Sequence, residues 1–207
     1  LLLGEATRLL GVTEEALRHF EEARRSYAAL GDGNGVGRSH LSLARLLADG
    51  NSWPEAAAHY RCVLAAWRGA EQGQKAAGVL EEMGLAALKY GDFELSAEGI
   101  EAAVTYAIGG DTVREVVLRA TLAWVEAERG DMHKSDREIR AALATNAAAP
   151  VLDDDFARAL AGLGQVEKRL GNQERAAYFL GLAANQYASV GDLAEANRLQ
   201  ALVTQGE

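Results

Sequence analysis

The sequence predicts an all-α fold: an α-α superhelix, or solenoid, of about five helical hairpins closed by a C-terminal helix. Three observations lead there. A pattern of small and large apolar residues returns about every forty residues from one end of the chain to the other. Gly followed by Asp or Asn punctuates the pattern at Gly31-Asp32, Gly91-Asp92, Gly110-Asp111, Gly130-Asp131, Gly171-Asn172 and Gly191-Asp192. The 207 residues include only 2 Pro, with 49% hydrophobic and 6% aromatic content, a composition for long elements packed through small side chains.

Taken in order, the repeat gives one domain over 1–207 with units at 1–32, 33–71, 72–110, 111–150 and 151–191 and a capping helix at 192–205. The first unit runs from Leu3-Gly4 through a break at Gly11-Val12-Thr13 to a second helix whose face is Ala16, Phe20 and Ala23. It opens inside a helix and not at a Met, as an excerpt of a longer polypeptide would. Its apolar Leu1, Leu2 and Leu3 offer a repeat end through which a homodimer could form. The second unit has Leu43-Ala44, a break at Asp49-Gly50-Asn51, then Ala56, Tyr60 and Val63. Ser52 with Glu55 predicts a capping box there, and Pro54 falls in the first turn. The third has Met83-Gly84, a break at Gly91-Asp92, then Ser96, Ile100 and Ala103. The fourth has Leu122-Ala123 and then Ser135, Ile139 and Ala142, with Thr112 and Glu115 predicted to cap its first helix. The fifth starts with Asp153, Asp154 and Asp155, has Leu163-Gly164, and continues with Ala176, Leu180 and Ala183.

Several registers hold together. The small residue early in each second helix is Ala16, Ala56, Ser96, Ser135 and Ala176, and the large one a turn later is Phe20, Tyr60, Ile100, Ile139 and Leu180. Gly ends a helix by taking the left-handed conformation, and the neighbouring Asp or Asn accepts the free N–H groups of the next. Turns this short make successive helices antiparallel.

These residues resemble the tetratricopeptide repeat: a large-small pair in the first helix, Gly-Asp at the turn, then small, large and small residues in the second. The usual repeat is ~34 residues and this one is about forty. The longer form is similar to the arrays of LuxR-like and maltose-activator-like bacterial regulators. The resemblance implies a non-enzymatic, cytoplasmic scaffold whose first helices line a concave groove for a protein or peptide. Its alternative is the sensor or regulatory arm of a transcriptional regulator or signalling ATPase, binding a peptide or small effector.

Carried over by position, the groove residues are Arg38, Leu41, Arg45, Glu81, Leu85, Lys89, Trp124, Glu128, Arg158, Gln165, Lys168 and Arg169. Trp124 is the strongest anchor, because a large aromatic offers contact area at low entropic cost. Arg38, Arg45, Arg158, Lys168 and Arg169 would make basic groove ends suited to an acidic peptide. Glu5, Leu41, Arg45, Glu81 and Leu85 stand where a carboxylate clamp would need Lys and Asn, which argues against capture of a C-terminal carboxylate.

No catalytic, cofactor or metal constellation is expected. The net charge of −9 opposes nucleic-acid binding, and no apolar run is long enough to cross a membrane. His19, His40, His59 and His133 show no paired spacing for zinc, and the Asp153–Asp155 run reads as a helix cap. Gly31 to Gly37 lacks the Gly-Lys-Ser/Thr ending of a phosphate loop and reads as a flexible inter-repeat turn. Cys62, the single cysteine, is expected to be a buried, inert thiol.

Overall fold

The computed structural model describes residues 1–67 and 73–204, with side chains for 1–66 and 77–204. The described residues form eleven α-helices and no strand: α1 (Leu2–Leu9), α2 (Thr13–Ala29), α3 (Gly33–Asp49), α4 (Trp53–Trp67), α5 (Gly73–Lys89), α6 (Phe93–Ala107), α7 (Thr112–Arg129), α8 (Met132–Ala148), α9 (Asp154–Arg169), α10 (Gln173–Val190) and α11 (Leu193–Thr204). The expected join at 71 and 72, and residue 205, lie outside the described residues. The class is the α-α solenoid. By contacts the chain divides into two compact units, Leu1–Gly91 and Asp92–Glu207.

In Leu1–Gly91, α1 packs on α2, α2 on α3 and α3 on α4. Ala16 and Phe20 of α2 form a buried cluster with Leu43 and Leu46 of α3, edged by Leu1 and Leu17. A Cβ on Gly4 would fall 2.5 Å from the Phe20 ring, so the small-residue register exists because α1 and α2 approach too closely for a side chain. The stretch Gly31 to Gly37 is not a flexible turn. Helix α3 starts at Gly33, and the Asp32 carboxylate accepts the Gly35 N–H at 2.9 Å. Gly35 lies under the Tyr27 ring, 2.3 Å from where its Cβ would be. Leu2 and Leu3 are 89% and 60% exposed.

In Asp92–Glu207, α7 packs on α6, α8 and α9, and α10 on α9 and α11. One core cluster joins Val116, Ile139, Phe156, Leu160, Leu163, Leu180 and Leu199. Asp92, Asp111, Asp131, Asp153 and Asp192 each accept a backbone N–H from the turn they begin. The cap of α7 is thus Asp111, bound to the Arg114 N–H at 3.0 Å, and not Thr112. Asp153 accepts from both Asp155 and Phe156, as a capping role requires. Asn172 precedes α10 without capping it, because its side-chain amide is drawn to Glu167 at 2.7 Å. None of Ala16, Ala56, Ser96, Ser135 and Ala176 is more than 2% exposed. No helix among the described residues is long and apolar enough to cross a membrane.

Candidate functional site

In Leu1–Gly91 the candidates fall on α3 and α5. Arg45 meets Glu82 through two parallel contacts, the Nε to Oε1 distance being 2.6 Å. The hydrogen bond to Glu82 holds the Arg45 pKa above its ordinary value, against the opposing effect of burial. Arg45 and Glu82 form one wall of an open cleft of ≈ 330 Å³ that also includes Asn51, Tyr60, Lys89 and Tyr90. Tyr90 donates its hydroxyl to the Ala48 carbonyl at 2.6 Å and stacks on Trp53 with ring centroids 4.7 Å apart. The Lys89 ammonium lies over the Tyr90 ring, 5.6 Å from its centroid. Burial, then the Glu82 charge, pushes the Tyr60 hydroxyl up to about 12, so it stays a neutral donor at every ordinary pH.

Of the predicted residues, Arg45 and Lys89 share this cleft. Leu41 is a correction: at 7% exposure its side chain belongs to the packing and not to a surface. Arg38 is exposed and lies over the Tyr27 ring at 5.9 Å. Leu85 is exposed on α5, and Glu81 is half-buried with interactions of its own. Glu82, Trp53, Tyr90 and Asn51 were missed by the sequence reading. The pairing of Arg45 with Glu82, one position beyond Glu81, depends on the rotation of α5, which a register of small residues does not fix.

In Asp92–Glu207 the candidates fall on α7 and α9. Trp124 lies flat over Gly162 of α9, where a Cβ would be 2.3 Å from the indole. Its ring is half-buried, and its N–H donates to Glu128 at 3.2 Å. Glu128 in turn meets Arg169 of α9 at 2.6 Å. Trp124, Glu128 and Arg169 are therefore brought together across the two helices. Gln165 and Lys168 are exposed on α9. Arg158 is exposed and paired with Asp155 on its own helix. Of the five residues expected to make basic groove ends, Arg45, Arg158 and Arg169 each pair with an acid of the chain itself, while Arg38 and Lys168 are exposed.

Three buried carboxylates of this unit tie neighbouring helices together. Glu126 of α7 and Glu167 of α9 are 0% exposed, and each meets a cation of the next helix, Lys134 at 2.7 Å and Arg175 at 2.7 Å. Both cations also reach an acid of the preceding hairpin's second helix, Lys134 to Glu101 at 3.1 Å and Arg175 to Asp136 at 2.6 Å. The third, Glu138 of α8, meets Arg119 of α7 at 2.7 Å. Burial disfavours the charge on Lys134 and Arg175, but the carboxylate hydrogen bonds outweigh it and raise both pKa values. Elsewhere, Cys62 is exposed and not buried. It sits on the outer side of α4, whose inner side is taken by Ala56, Tyr60 and Val63.

Residues 1–69 match the family profile described as tetratricopeptide repeat. No curated protein matches the sequence significantly. Among solved structures the chain is similar to the nearly identical TPR-like repeats of a Podosopora anserina protein assigned as a kinesin light chain, in a form carrying a single substitution. There the identity is 16%, the TM-score 0.65, and 91% of this chain and 92% of that chain are covered. The form without that substitution gives 16%, 0.64, 91% and 93%. BtubC (BKLC) from P. vanneervenii gives 16%, 0.53, 94% and 89%. At such identities the likeness shows the fold alone, an α-α solenoid, and the tetratricopeptide match is to residues 1–69.

Proposed function

We propose that the chain is a non-enzymatic cytoplasmic scaffold that holds a protein or peptide against its first helices. The observation that carries this reading is the Trp124 surface. A partly buried indole seated on Gly162, with Glu128 and Arg169 at its edge, is a rigid aromatic anchor of the kind that concentrates binding energy. The fold supports the same reading, since tetratricopeptide-like stacks generally serve protein-protein interaction. Charge now favours a neutral or basic partner over an acidic one. Leu1–Gly91 has ten basic and eleven acidic residues, a net of −1, whereas Asp92–Glu207 has eleven and nineteen, a net of −8.

A peptide array probed with the purified chain tests this. Bound sequences should contain an apolar residue flanked by neutral or basic ones, and Trp124→Ala should weaken them about tenfold or more, the ≥ 1.4 kcal/mol typical of an interface anchor. Retention of all binding by both Trp124→Ala and Arg45→Ala would place the partner on another surface.

A further inference from the structure

Within Leu1–Gly91, His40 of α3 and His59 of α4 meet with their Nδ1 atoms 2.8 Å apart. Their ring centroids are 5.1 Å apart, with the planes tilted by 42°. That separation is what two imidazoles give when they touch tip to tip along the N···N line. It is the geometry of one ring N–H donated to a ring nitrogen that lacks a proton. Two nitrogens aimed at each other do not converge on a third point, so the pair is shaped to share a proton and not to chelate. Both rings are half-buried in the middle of the α3–α4 hairpin.

We propose that His40 and His59 form a proton-operated latch, closed while the pair carries no more than one extra proton and released when both imidazoles are charged. The first added proton can sit on either ring and leaves the N–H···N contact intact. A second makes both Nδ1 atoms donors and sets two cations in contact, so the rings must part and the hairpin must loosen. The charged groups that bear on the pair are Glu21 and Arg24 of α2. They are 2.9 Å apart and oppose each other, Arg24 acting more strongly on His40 and Glu21 on His59, so one carboxylate shared with an arginine is all that faces a doubly charged pair. Among the described residues α5, the other helix against α4, brings no charge to either ring.

The direction of the effect follows from linkage. Burial lowers both pKa values below the ordinary 6.5, joined at His40 by the neighbouring imidazole and Arg24, and at His59 opposed by Glu21 and aided by Arg24. The unfolded chain then binds protons more readily than the folded one. The stability is present above pH 6.5 and is lost as pH falls through the lowered folded values.

The test is a side-chain NMR titration of the histidines in the whole chain, with thermal unfolding and amide exchange at pH 8 and pH 5. Two coupled steps are expected, the lower one clearly under 6.5, with faster exchange in α3 and α4 and a lower Tm at pH 5. In His40→Gln and His59→Gln the remaining imidazole should titrate in a single step, and the loss of Tm over that window should shrink. Independent titration of both rings at the ordinary value, or an undiminished Tm loss in both variants, would overturn the latch. Should a variant not fold, the titration of the native chain still decides. Either result leaves the Trp124 reading untouched.

Discussion

An alanine at position 162 would place its Cβ 2.3 Å from the Trp124 indole, so this glycine and tryptophan define each other. Gly to Ala inside a helix ordinarily stabilises by about 1 kcal/mol. Gly162→Ala should do the opposite, costing about 1–3 kcal/mol through overpacking and shifting the Trp124 fluorescence. Gly181 of α10, with nothing within 4 Å of its Cβ position, is the control, and Gly181→Ala should raise stability by about 1 kcal/mol. Equal signs in urea melts of the two variants would contradict the packing described. Ser96 and Ser135 are buried with their hydroxyls unbonded, at a register where other units have Ala. Ser96→Ala and Ser135→Ala should therefore each gain about 1 kcal/mol in thermal unfolding, because a desolvated, unpaired hydroxyl is lost. That these positions had to be small was legible in the sequence, since spacing alone shows it. That Trp124 would rest on Gly162 was not, because the contact joins two first helices and depends on their mutual rotation.

At the scale of the helix pair, the recurring lock is a buried Glu near the end of a first helix and a cation early in the second. Glu126 with Lys134, and Glu167 with Arg175, are the two cases. Removing the acid takes one of two carboxylates from Arg175, so Glu167→Ala should cost about 2 kcal/mol, below the ~3–5 kcal/mol of a fully buried broken pair, since Arg175 is partly exposed and keeps Asp136. Urea unfolding measures this, and Arg175→Met added to Glu167→Ala should recover part of the loss. For Lys134 the raised pKa sets the sign: its contribution is complete below 10.5 and declines as pH climbs through the higher folded value. Stability measured above pH 10.5 should fall in the native chain and fall less in Lys134→Met. Most helix starts and stops were legible, because Gly and Asp carry their backbone roles with them, but the left-handed residue is Gly109 and not Gly110 before Asp111, and Asn51 and not Gly50 after α3. The locks were not, since Thr7 and Ala87 occupy the same register in other units and no period marks the acids. The His40–His59 contact was hidden for a like reason: it joins two helices at a spacing that matches no local motif.

Across the whole chain the charge is uneven, with Asp92–Glu207 contributing −8 of the −9. Peptides bearing Lys or Arg should therefore bind the Trp124 surface more weakly as salt rises, while neutral ones change little; calorimetry at two ionic strengths separates these cases. The ion pairs that tie successive hairpins have an evolutionary corollary. Repeat arrays grow and shrink by recombination between similar units, which succeeds when neighbours are interchangeable. Here they are not. Lys134 needs Glu101 behind it and Arg175 needs Asp136, yet aligning Ile100 with Ile139 sets Arg140 in the place of Glu101 and Ala97 in that of Asp136. Copying residues 111–150 in tandem would bring Lys134 of the copy against an arginine, and deleting them would leave Arg175 facing an alanine. The charges thus number the hairpins, and preserve their order against the genetic accidents to which repeated sequences are prone.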